Sequence, residues 1–112
     1  MKAGDLVGAV AAFRRCLELD PEQHWAAWLL ATALHRSADG EPAEIERLCR
    51  LAIAWQQGHE QDAGRQVYLL ALTLQKLGRA EAARQAARDY LVDAAQGADP
   101  AVLKLLLAIA EG

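Results

Sequence analysis

Apolar residues recur along this chain at helical spacing, and short polar breaks interrupt them at similar intervals. From position 5 to 19, Leu6, Ala9, Val10, Phe13, Cys16 and Leu17 form one stripe of an amphipathic helix. Asp20-Pro21 ends that stripe, because a residue before proline avoids the α region and proline itself suits a helix start. A second helix is predicted over 22–36. Trp25, Ala26, Ala27, Trp28, Leu29, Leu30, Ala31, Ala33 and Leu34 make it apolar almost all round, so it must be sandwiched between neighbours or have one face bound by something else. Residues 37–42 break the pattern, with Asp39 or Gly40 suited to capping and Pro42 to a first turn. The third helix is predicted over 41–55, burying Ile45, Leu48, Cys49, Ala52 and Ile53, and Gln56-Gln57-Gly58-His59 reads as a loop. Helices four (61–77) and five (80–95) are split by Gly78, and residues 96–100 separate them from a sixth (100–111). Connections this short fold consecutive helices into antiparallel hairpins.

Composition agrees with the pattern. Ala and Leu make up roughly two-fifths of the 112 residues, and both lose little on entering a helix. No stretch alternates as a half-buried strand does. The expectation is one all-α domain over 1–112, built of about six helices.

The helical blocks superimpose on one another. Gly4-(x4)-Ala9-(x3)-Phe13-(x2)-Cys16-Leu17-(x3)-Pro21 shares its spacing with Gly78-(x4)-Ala83-(x3)-Ala87-(x2)-Tyr90-Leu91, and Ile45-(x3)-Cys49-(x2)-Ala52-Ile53 fits the same register. Leu30-Ala31-(x2)-Leu34 matches Leu70-Ala71-(x2)-Leu74. The chain resembles the tetratricopeptide repeat, a helix–turn–helix unit of about 34 residues. The resemblance implies a half repeat at 5–21, full repeats at 22–57 and 61–96, a capping helix at 99–111, and a short right-handed superhelix. It departs from the pattern in the distance from Leu30 to Leu70, in lacking a proline after helix three, and in the small Ala87 of helix five.

The resemblance also implies a function: a partner's peptide or helix held in the concave groove lined by the first helix of each unit. Register places Trp25, Trp28, Thr32, His35 and Arg36 of helix two on that groove, with Arg65, Tyr68, Leu72, Gln75 and Lys76 of helix four. Aromatic side chains beside Arg, Lys and His are the chemistry of interface hot spots. The alternative for Trp25 and Trp28 is packing between helices. The clamp with which some members of the family grip a terminal carboxylate falls here on Trp28, Thr32, Leu69 and Arg65, where only the arginine is compatible.

Other chemistries find little support. The net charge is −3 and the basic residues are interspersed with acids, so nucleic-acid binding is not expected. No apolar run approaches the ~20 residues of a membrane span, and the first residues lack a secretory core, which predicts a cytoplasmic protein. Cys16 and Cys49 read as buried small hydrophobes. His24 and His35 lie ~16 Å apart along one helix and cannot share a metal ion, and His59 has no ligand-spaced partner. There is no phosphate loop, HExxH or nucleophile elbow, so neither cofactor nor enzymatic activity is expected. Asp20, Asp39 and Asp99 read as helix caps.

Three readings stand. The first is a non-catalytic adaptor that binds a partner protein. The second is a self-associating scaffold, or a piece of a longer array, with Val102, Leu103, Leu106 and Leu107 as the associating surface of helix six. The third is an accessory domain of an enzyme.

Overall fold

A computed structural model describes residues 3–37, 40–59, 61–92 and 99–111, with side chains from Leu6 onward. The described residues form six helices and no strands: α1 Ala3–Leu19, α2 His24–Arg36, α3 Pro42–Gly58, α4 Gly64–Lys76, α5 Ala80–Val92 and α6 Pro100–Glu111. Each helix packs on the next, and α4 also packs on α6, giving a stack of helical hairpins. The backbones of α4 and α6 approach more closely than those of α2 and α4.

Small residues set this spacing. Ala26, Ala27, Ala31, Ala71, Ala83 and Ala87 are all wholly buried, so helix backbones come together with little side chain between them. Leucines fill the remaining space: Leu30 and Leu34 of α2, Leu48 of α3, Leu70 and Leu74 of α4 and Leu106 of α6 share one core. Ala87, the small residue that departs from the repeat pattern, is wholly enclosed. Cys49 also lies in this core, and burial pushes its thiol up to about 12, so it behaves as a hydrophobe. Thr73, the most buried polar side chain, donates its hydroxyl to the Leu69 carbonyl at 2.8 Å.

Ion pairs tie α1, α3 and α5 together. The Arg14 guanidinium of α1 reaches both carboxylate oxygens of Glu44 in α3. Glu46 in α3 accepts from Arg79, just before α5, at 3.0 Å and from Arg50 of its own helix. Burial alone would raise the Glu46 carboxyl, but the two guanidiniums hold it below its ordinary range.

Helix ends shift from the sequence expectation, α1 starting at Ala3 rather than 5 and α2 at His24 rather than 22, and two shifts of three residues have a visible cause. Residues 56–58 are the last turn of α3 rather than a loop. The His59 amide closes that turn on the Trp55 and Gln56 carbonyls at 3.1 and 3.2 Å, and its Nδ1 lies 2.8 Å from the Trp55 carbonyl. The Trp55 indole is sandwiched between the rings of His24 (3.5 Å) and His59 (3.9 Å), which pins the end of α3 to the start of α2. A string that is loop-like by composition is therefore helical through tertiary contact.

The start of α4 is the second difference, since it begins at Gly64 rather than 61. Asp62 organises the approach. One carboxylate oxygen accepts the Gly64 amide at 3.3 Å, the other accepts the Tyr90 hydroxyl of α5, and the Asp62 carbonyl accepts the Gln56 side-chain Nε2 at 3.0 Å. Asp99 accepts the Ala101 amide at 2.9 Å as the α6 cap, whereas Asp20, expected as a cap, accepts the Glu22 amide at 3.2 Å in the turn before α2, whose N-cap is Gln23. Asp39 lies outside the described residues, as do residues 93–95 of the expected fifth helix.

Glycine is needed most strictly at Gly40, where a Cβ would stand 2.0 Å from the Leu34 carbonyl oxygen, and at two further places. Gly78 sits at φ +76° and ends α4 in a Schellman turn, in which the Arg79 amide donates to the Leu74 carbonyl and the Gly78 amide to Gln75. Gly64 is required by proximity, because a Cβ there would stand 2.8 Å from the Tyr90 hydroxyl and 3.1 Å from Val102. Gly64→Ala should therefore destabilise the fold by ~1–3 kcal/mol in urea unfolding. In a Tyr90→Phe background the added cost should shrink, because the closest atom is gone; an undiminished cost would place the conflict elsewhere.

Candidate partner-binding face

The candidate face is built from α2 and α4. Positions 25, 28, 32, 35 and 36 of α2 recur forty residues later as 65, 68, 72, 75 and 76 of α4, so equivalent side chains lie at equivalent turns. Both helices bury their other sides in the stack, and these positions are left half-buried or exposed.

On α2, Trp25 is 43% exposed, whereas Trp28 packs against the core while staying partly open. Leu29 beside them is 40% exposed, an apolar contribution to this face that the repeat register does not single out. The Thr32 hydroxyl donates to the Leu29 carbonyl at 2.8 Å and is thereby satisfied within its own helix. Tyr68 of α4 takes the same half-buried place as Trp28, and Leu72 lies one turn beyond it.

The C-terminal ends of the two helices lie within electrostatic range of each other. His35 lies near enough to Lys76 of α4 for that charge to act on it. Its imidazole is pushed below its ordinary range first by burial, then by Lys76, then by Arg36. Its Nδ1 is buried and, among the described residues, has no hydrogen-bond partner.

The remaining expected residues go elsewhere. Arg65 pairs with Asp99 at the start of α6, at 3.9 Å. Gln75 lies over a shallow recess shared with Ala80, Arg84, Ala108 and Ile109, on the side toward α5 and α6. The face is therefore an aromatic strip of Trp25, Trp28 and Tyr68 running into a basic end of Arg36, His35 and Lys76.

The expected self-association surface on α6 is corrected in one residue. Leu106 is wholly buried, because with Ala110 it forms the side of α6 that enters the core. Val102 and Leu103 are half-buried, and Leu107 is 48% exposed. The exposed neighbour of Leu107 is Leu105, at 45%. Leu103 and Leu107, with Leu91, Pro100, Ala101 and Lys104, line an open, mostly apolar groove of about 610 Å³ between α5 and α6.

No protein-family model, curated protein or solved structure gives a significant match to the chain. No described helix is long and apolar enough to cross a membrane.

The proximity of α2 and α4 has a direct test. Lys76→Met removes a positive charge acting on His35, so the His35 titration midpoint followed by NMR should rise toward that of an ordinary histidine. An unchanged midpoint would mean that the two helix ends do not meet.

Proposed function

We propose that this chain is a non-catalytic, tetratricopeptide-like binding module that takes a peptide or helix of a partner protein on the face formed by α2 and α4. One observation carries the reading: Trp28 and Tyr68, forty residues apart, stand half-buried at the same turn of two successive units. A ring anchored at its base with an edge still open is the kind of group that dominates interfaces, because little side-chain freedom is lost when the edge is covered. Trp25 and Leu29 extend the same apolar surface. The helical hairpin stack and the three agreeing repeat registers support the family reading, and a cytoplasmic setting goes with it.

Short random peptides displayed on phage and selected on the full chain test this. Selected peptides should lose about tenfold or more in affinity for Trp28→Ala and for Tyr68→Ala. Peptides that bind both variants as well as the parent, or no selected peptide at all, would count against the face.

The apolar groove between α5 and α6 favours a second reading, self-association through α6. Light scattering on the purified chain should then give a mass above that of one copy, returning to one copy in Leu107→Asp. A single-copy mass at high concentration would remove this reading.

A further inference from the structure

The charges of this protein are sorted by helix. α1, α3 and α5 each carry two carboxylates and two guanidiniums, and so sum to zero. α2 and α4 carry Arg36, Arg65 and Lys76 and no carboxylate at all, in a chain whose net charge is −3. The binding face is thus built on the two helices that are purely positive.

The positive charge is also concentrated within that face. Arg65 is partly neutralised by Asp99, but among the described residues neither Arg36 nor Lys76 has an ion pair or hydrogen bond. They stand with His35 at the C-terminal ends of α2 and α4. A cation at a helix C-terminus is stabilised by the macrodipole, and that could explain any one of them. It does not explain their distribution, because α1, α3, α5 and α6 have no basic residue in the last turn. Nor does it explain why Lys76 and Arg36 both stand within electrostatic range of an imidazole that they disfavour as a cation. Like charges left uncompensated among the described residues, near a buried Nδ1 that has no hydrogen-bond partner among them, are costly in the free protein, and an incoming anion relieves that cost.

We infer that the partner segment is acidic, and that its carboxylates are received by Arg36, His35 and Lys76 while its apolar residues lie along Trp25, Trp28 and Tyr68. The inference rests on the face proposed above and specifies what that face selects. Charge-assisted hydrogen bonds from Arg36 and Lys76 would hold the carboxylate. The same carboxylate, hydrogen-bonded to the imidazole, favours its charged form against both the burial and the two cations that oppose it, so the imidazole gains a proton as the partner docks. The sign follows from linkage: a histidine whose titration midpoint is higher in the bound state strengthens binding below the free-state midpoint. That gain is lost as pH rises through the bound-state midpoint. The charges known to act on His35 are Lys76 from α4 and Arg36 from its own helix.

The same peptide selection provides the test. Selected sequences should be enriched in Asp and Glu beside apolar residues. The best of them, synthesised, should lose about tenfold or more in affinity when its Asp and Glu become Asn and Gln, and the Arg36→Met/Lys76→Met double variant should show the same loss for the parent peptide. Affinity should be higher at about pH 5.5 than at about pH 8, by about tenfold for each pH unit that the His35 midpoint moves on binding. In His35→Gln, binding should persist with that pH dependence flattened. Peptides that need Trp28 and Tyr68 yet are neutral or basic, or that bind equally as their amide analogues, overturn the inference and leave the face standing. Acidic peptides with the same pH dependence in His35→Gln overturn the role of His35. Peptides indifferent to Trp28→Ala and Tyr68→Ala overturn the face itself.

Discussion

Alanine at the helix contacts governs the spacing on which everything else depends. Ala27 and Ala31 on α2, Ala71 on α4, and Ala83 and Ala87 on α5 lose all their accessible surface, and a larger side chain at any of them would push two backbones apart. Because the backbones come close, leucines from different helices can meet in one core. Because α2 and α4 are gripped from several sides, each has one strip left for solvent or a partner. The proposed binding face is what remains of two helices after the stack has taken the rest.

Polar groups then fix the stack in register. Glu44 and Glu46 of α3 reach Arg14 and Arg79, one toward each end of the molecule, so α3 is held between its second-layer neighbours by charge as well as by Leu48 and Ile53. These pairs are partly exposed, and such pairs contribute modestly to stability. Their geometric effect is larger, because a planar guanidinium on a carboxylate tolerates little sliding. Asp62 performs a similar task on the other side, joining the start of α4 to Tyr90 of α5.

Much of this is readable in the sequence, for identifiable reasons. Residues at helical spacing give the helices and most of the core, because Leu30, Ile45, Leu48, Leu70 and Leu74 need nothing but their period to be placed inside. Gly78 marks a helix end because only one kind of turn follows from it. The stack of His24, Trp55 and His59 is different: His24 and His59 are thirty-five residues apart and neither has a local signal, so only the fold brings them to one indole. The helical state of Gln56 and Gln57 is hidden for the same reason. Leu106 shows a further limit. In a helix as uniformly apolar as α6, periodicity cannot tell the buried side from the exposed one, so Leu105 rather than Leu106 faces out. The face itself is half legible. Register identifies Trp28 and Tyr68, but the electrostatic reach of Lys76 to His35, and the diversion of Arg65 to Asp99, require coordinates.

The sorting of charge by helix bears on how fast a partner arrives. The protein as a whole is negative, so at very low ionic strength its distant field repels an anion. At physiological salt the screening length falls to ~8 Å, and an approaching segment senses only the charges directly ahead of it. At the basic end of α2 and α4 those charges are positive. Added salt should thus first speed encounter, by erasing the global repulsion, and then slow it as the local attraction is erased too. A non-monotonic rate of this kind is the kinetic mark of a molecule whose net charge and proposed binding face have opposite signs.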